Sequence, residues 1–314
     1  MISYTKRSLK VAGLASVLAL ALGFGSTAVR ADVESKDAIK ITYGDWTTEQ
    51  LNTEIMGRVL KKMGYNVENV PTEYMAQFPA VESGDVHVAM EIWFTTAREN
   101  YEKSTAAGKS IDLGETGMLA KEEWWFPEYM KEKCPGLPDW KALNDCAKLF
   151  ATADTGDKGR YIMGPESWGG YDKERVEALK LNYQVVYAGN DSVLNAEIKS
   201  AYERKAPVLA WVYAPNWTIN VFKGEWIKFP AYTADCYDKK TYGCAKPEGP
   251  IKKLGWPGAE KKWPKAMAAV KKFHMDNDTI SALAKQVDID GKKVDEVAQA
   301  WVDANEKVWK PWTE

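Results

Sequence analysis

The sequence predicts an α/β protein built on a largely parallel sheet covered by helices, and three observations carry that prediction. Short apolar runs at 39–43, 86–92, 161–163 and 207–213 alternate with stretches of helical periodicity. The first three strands are separated by helices, a β-α-β-α-β order of the kind that buries strands on both faces. The second half then repeats the arrangement, and in both halves large aromatic residues stand just past the carboxyl ends of strands. With 45% of its 314 residues hydrophobic, the chain can bury one large core or two lobes.

Taken in order, residues 39–43 (IKITY) form a buried strand that stops at Gly44-Asp45-Trp46. Thr47 or Thr48 can cap the helix that follows, whose apolar face is Leu51, Ile55, Val59, Leu60 and Met63, and Gly64 ends it. Residues 66–70 read as a second strand, 78–81 as a short helix and 86–92 as a third strand. The stretch 122–129 (EEWWFPEY) reads as an extended segment crossing toward a second lobe, and 134–146 as a surface elaboration. Strands are expected at 161–163, 184–187 and 207–213, with helices at 172–181 and about 192–204. The Pro-, Gly- and Tyr-rich stretch 229–257 reads as a return segment, followed by helices near 261–273, 278–286 and 293–309. Asp276-Asn277-Asp278-Thr279 reads as a helix cap, because the spacing and terminal Glu of a calcium loop are absent, and 288–291 as a turn.

The amino terminus sets the expected compartment. Lys6, Arg7 and Lys10 precede an apolar run from Val11 to Phe24, and Val29-Arg30-Ala31 offers small residues at a cleavage site. Residues 1–31 therefore read as a secretory signal peptide, too short in its apolar part for a membrane anchor. Its removal takes four basic residues and no acidic one, leaving a mildly acidic mature chain with no polybasic surface for nucleic acid or membrane. In an oxidising compartment Cys134 and Cys146, and Cys236 and Cys244, are expected to pair locally, although four cysteines allow three connectivities. Neither pair has the CxxC spacing or the nearby His of a zinc site, and no metal or cofactor is expected.

Fourteen Trp and fifteen Tyr are many for this length. The stretch 161–171 (YIMGPESWGGY) concentrates the chemistry: Trp168 can stack on a cation, and the amides of Gly169 and Gly170 can accept a carboxylate. Trp46, Trp93, Trp168, Tyr213 and Trp217, with Trp124 or Trp125, are the candidate walls of an aromatic box. Such faces attract a methylated ammonium, which has no donor to offer a carboxylate, at ~1–2 kcal/mol per desolvated ring.

The chain resembles the substrate-binding proteins of ABC importers for glycine betaine, proline betaine and related quaternary ammonium compounds, including choline and trimethylamine N-oxide. The resemblance spans nearly the whole mature chain and is carried by YGDW (43–46), SGDVHVAMEIWFTT (83–96), GPESWGG (164–170), APVLAWVYAPNW (206–217) and VDIDGKKVDEVAQAWVDAN (287–305). It implies a type II periplasmic binding protein: two α/β lobes joined by two hinge crossovers, lobe 1 from 32–120 plus 218–314 and lobe 2 from 121–217. By position it makes Trp93 and Trp168 two walls of the cage, and Gly169 and Gly170 the donors to a betaine carboxylate. Relatives carry Trp-x-Pro-x-Trp at the third wall. Here the first Trp of that pattern is Tyr213, with Trp211 two residues earlier, so Trp211, Tyr213 and Trp217 all stay open as that wall. Choline binders place an acidic residue two after the first Trp, where this chain has Thr48. Glu122 and Glu123 beside Trp124 read as a solvated turn. The resemblance further implies a monomer in the periplasm, delivering its ligand to an inner-membrane ABC permease, with glycine betaine ahead of trimethylamine N-oxide.

Two other classes compete. An exported hydrolase would need a nucleophile and base in reach, but no GxSxG or HExxH occurs and His87 lies in an apolar strand. A carbohydrate-binding module would put its rings on one exposed platform, whereas these rings stand at strand exits in both halves.

Overall fold

A computed structural model describes residues 33–314; the expected signal peptide, 1–31, lies outside the described residues. The chain opens β1 (Ile39–Tyr43), α1 (Thr47–Met63), β2 (Val67–Pro71), α2 (Gln77–Ser83), β3 (Val88–Trp93) and α3 (Arg98–Ala106). The strand β4 (Ile111–Pro127) then leads through α4 (Met130–Lys133) and α5 (Ala142–Asp145) to β5 (Gly159–Met163), α6 (Asp172–Ala178), β6 (Tyr183–Tyr187), α7 (Asp191–Glu203), β7 (Ala210–Ala214), α8 (Thr218–Val221) and β8 (Gly224–Trp226). After α9 (Ala234–Asp238) and β9 (Gly249–Gly255) come α10 (Ala259–Lys262), α11 (Pro264–Lys272), α12 (Asn277–Asp288), α13 (Val294–Ala304) and α14 (Glu306–Trp309).

The strands run in the order β2-β1-β3-β9-β4-β7-β5-β6, with β8 also on β4. β1 pairs in parallel with β2 and β3, and β5 with β6 and β7. The four pairings made by β9 and β4 are antiparallel, so the two parallel units are joined by antiparallel strands. β4 is the joint: Ile111–Ala120 pairs with β9 and Lys121–Trp125 pairs with β7. The extended segment expected at 122–129 is thus the far half of a 17-residue strand that passes from one lobe to the other. The second connection runs back beside it, and Lys121 and Glu248 meet across the two at 2.6 Å.

Each half-sheet is covered as a parallel sheet must be. On the first lobe Leu51, Ile55, Met56, Val59 and Leu60 of α1 are fully buried, and α1 packs on α12 and α13. Thr47 and Thr48, expected to cap α1, lie inside it. The capping position is Trp46, and the hydroxyls serve Asp288 (2.6 Å) and Glu91 (3.2 Å) instead. Asp276 does cap α12, its carboxylate accepting from the Thr279 N–H at 2.7 Å. The last two long helical stretches break at Pro264, which starts α11, and at Asn305.

Both local disulfides form, Cys134–Cys146 and Cys236–Cys244. The second holds a loop against the second lobe: Tyr242 stacks on Tyr171 at 4.0 Å, and the Cys244 carbonyl accepts from Arg175 at 2.9 Å. β8 also pairs with the far half of β4. Among the described residues no helix is long and apolar enough to cross a membrane.

Candidate functional site

The two lobes face each other across a cleft of about 370 Å³ lined by Trp46, Tyr74, Trp93, Thr96, Glu122, Met163, Trp168, Gly169, Trp211 and Tyr213. Local sequence explains how each ring arrives there. Trp46 stands at the amino terminus of α1, where the chain leaves β1; a Cβ on Gly44 would fall 2.4 Å from its ring, so only glycine lets the indole fold back over the turn. Trp93 is the last residue of β3. Trp168 ends a 3-10 turn after β5, and the backbone leaves it through Gly169 and Gly170 at φ +78° and +118°, a region that glycine enters without strain. Trp211 and Tyr213 are two apart on β7 and so share a face.

The rings meet across the cleft as well as within each lobe. Trp46 approaches Trp168 edge-on at 5.8 Å, and Trp93 meets Tyr213 at 5.4 Å and 84°. Trp211 lies 5.5 Å from Trp168 and 4.9 Å from Tyr213. Centroid separations and tilts of this size are those of edge-to-face and tilted aromatic contacts.

Every polar handle of these rings ends on a carboxylate. Trp46 and Trp93 donate to Glu91 at 2.8 and 3.1 Å, Trp168 to Asp45 at 2.9 Å, Trp211 to Glu122 at 3.2 Å, and the Tyr213 hydroxyl to Asp191 at 3.0 Å. Burial raises the carboxyl pKa values of Glu91, Asp45 and Asp191, the last to about 8, against the hydrogen bonds that hold them down. No Lys or Arg lines the cleft.

Glu122 is the one acid in the lining. It is 5% exposed, not a solvated turn, and it accepts from Thr95, from Thr96 at 2.7 Å and from Trp211. Its neighbour Glu123 points the other way, as alternation in a strand requires, into a buried ionic cluster with Arg175, Asp172 and Lys246.

Of the expected site residues the structure brings Trp46, Trp93, Trp168, Gly169, Trp211 and Tyr213 into the lining. Trp124 and Trp125 sit inside β4 in the core; Trp124 stacks on Tyr161 at 3.8 Å and donates to Asp172, and Trp125 packs against Gly224. Trp217 lies outside the lining and donates to Asp288 at 2.7 Å, a bond from the second lobe to the end of α12 in the first. Gly170 is just outside, and the Gly169 N–H is spent on the Glu166 carbonyl at 3.1 Å. Tyr74, Thr96, Met163 and Glu122 complete the cleft unforeseen. Only the two adjacent acids before Trp124 gave any sign of it. His87 stands apart, its Nδ1 accepting from the Lys40 N–H at 2.9 Å and its ring between Trp256 and Trp263.

A two-lobed α/β fold closing on an aromatic cleft is the architecture of solute-binding proteins, and residues 37–304 match the OpuAC family, described as the substrate-binding domain of ABC-type glycine betaine transport systems. The chain belongs to that family. It is 33% identical, over 97% of its length and 99% of the relative's, to a trimethylamine N-oxide-binding protein of Pelagibacter ubique. The fold is shared with lactococcal OpuAC in its closed form with glycine betaine (TM-score 0.69, 17% identity, 88% of this chain and 100% of that one). It is shared also with a choline-binding ABC-transporter protein in complex with choline (TM-score 0.72, 15% identity, 90% and 93%).

Proposed function

We propose that this protein is the periplasmic solute-binding component of an ABC importer, exported through its amino-terminal segment and closing as a monomer on a methylated ammonium compound. The observation that carries the proposal is the box itself. Four indoles and two phenols from both lobes enclose a cleft with no basic side chain, and five of the six rings are backed by carboxyl groups. Binding desolvates the cation against ring faces, and closure of the lobes over it presents the docking surface for the permease.

The polar end of the cleft ranks the ligands. A betaine carboxylate brought there meets Glu122 and finds the Gly169 N–H already used, which counts against glycine betaine, first on sequence grounds, relative to smaller or more cationic compounds. Trimethylamine N-oxide leads, supported by the 33% identity to a protein named for binding it. Its oxygen accepts a proton about as readily as a carboxylate does, so one proton held between ligand and Glu122 makes a charge-assisted O–H···O hydrogen bond. Choline is the second reading, because the same carboxylate can accept its hydroxyl. Calorimetry on protein unfolded and refolded to strip bound ligand tests the ranking. Trimethylamine N-oxide is expected to bind more tightly than glycine betaine, with an apparent enthalpy that varies with the buffer's ionisation heat. Tighter binding of glycine betaine, with no such variation for the N-oxide, would reverse it.

A further inference from the structure

Glu91 is not itself in the cleft lining, yet it organises one side of it. It lies on β3 two residues before Trp93, hence on the same strand face, and it is fully buried. Its Oε2 accepts from Trp46 Nε1 at 2.8 Å, Trp93 Nε1 at 3.1 Å and Thr48 Oγ1 at 3.2 Å; its Oε1 accepts from Asn52 Nδ2 at 2.6 Å. Thr48 and Asn52 are four apart on α1 and present their donors side by side. Among the described residues Glu91 has no basic partner, whereas Glu123 and Asp172 of the second lobe are buried beside Arg175 and Lys246.

A buried carboxylate met by four neutral donors and no cation is costly, and an amide or apolar residue of the same size would be a cheaper way to fill the space. What the carboxylate adds is specific. One carboxylate fixes two cleft-lining indoles by their N–H edges and so sets the orientation of both rings. Each N–H donated to an anion leaves more electron density on the ring, and the buried charge behind the rings adds its own attraction for a cation in front of them.

We infer that Glu91 is a positioning residue that sets the preference of the cleft for a cationic head over a neutral one of the same shape, acting through Trp46 and Trp93. The inference rests on the reading of the box as a cation site. It differs from the role of Asp45, which receives Trp168 across the two lobes and so takes part in closure; Glu91, Trp46, Trp93, Thr48 and Asn52 all belong to the first lobe.

The test compares choline with 3,3-dimethylbutan-1-ol, its neutral isostere, on wild type and Glu91→Gln, by competition against the intrinsic tryptophan fluorescence. Wild type is expected to prefer choline. In Glu91→Gln the choline affinity is expected to fall about tenfold while the alcohol changes less than about twofold. Equal losses for both ligands would mean that Glu91 only supports the fold, and would overturn the inference while leaving the box reading intact. A wild type without preference for the cation would overturn the box reading, and this inference with it. Should Glu91→Gln fail to fold, indole-labelled wild type supplies the second measurement. Two Nε1–H resonances, lost singly in Trp46→Phe and Trp93→Phe, are expected far downfield and slow to exchange. Ordinary shifts with fast exchange at those two indoles would overturn the inference.

Discussion

Glu122 and Glu123 stand next to each other on β4 and face opposite environments, one the ligand cleft and the other a buried cluster of charges. A sequence shows the pair but not the direction of the strand's pleat, so the acid that enters the site was indistinguishable from the one that holds the core. Glu122→Gln keeps the shape and removes the charge. It should weaken trimethylamine N-oxide and choline ten- to a hundredfold, the range for a buried hydrogen bond to a charged group, and leave glycine betaine unchanged or improved. Calorimetry with the three ligands reads this directly. Glu49 works at the same scale on stability. Its carboxylate receives the Gly44 N–H and the Thr42 hydroxyl, holding the turn that presents Trp46, and burial pushes its pKa from 4.5 up to about 8. The native state then keeps a proton that the unfolded chain releases, so this group's contribution to stability falls as pH rises from about 4.5 to about 8. The melting temperature of wild type should be lower at pH 8 than at pH 5, and Glu49→Gln should shrink that difference.

At the scale of elements, the long periodic pieces were legible and the joints were not. β1, α1, α7 and the early strands appear within a few residues of where apolar spacing puts them, because each buries a continuous stripe. β9 was hidden. Its sequence, GPIKKLG, places Lys253 inside the core, where the ammonium is satisfied by the carbonyls of Glu115, Lys271 and Phe273 rather than by solvent. Trp124 and Trp125 were candidate walls of the box, but the strand that carries them across the change of lobe buries both in the core. Trp217 acts between elements. Its indole reaches Asp288 at the end of α12, which also receives Thr47 from the start of α1. Trp217→Phe should weaken all ligands by the same factor, about tenfold at most, through faster release, since it removes a bond that holds the lobes together and touches no ligand. Stopped-flow dissociation distinguishes this from a loss of selectivity.

For the whole molecule, the decisive property is that neither lobe has a complete site. Trp46 and Trp93 come from the first lobe and Trp168, Trp211 and Tyr213 from the second, so on the proposed function closure completes the box and removes water from it. The resemblance of YGDW, EIWFTT and GPESWGG is what led the sequence reading to expect such a box, and Trp46, Trp93 and Trp168 of those stretches do line the cleft. Of the three residues left open for the third wall, Trp211 and Tyr213 share one face of β7 and line the cleft. The chain's mild net charge also concealed the site's character, because acids gather around the cleft while bases lie elsewhere. The measurement that tests the central claim most directly is calorimetric titration of ligand-free wild type and Trp168→Ala with trimethylamine N-oxide. Trp168 contacts Trp46, Trp211 and Tyr213 and bonds to Asp45 across the cleft, so its loss should abolish measurable binding while wild type binds at one site per chain. Binding of equal strength in both proteins would contradict the account, because a ligand indifferent to Trp168 is not held in this box.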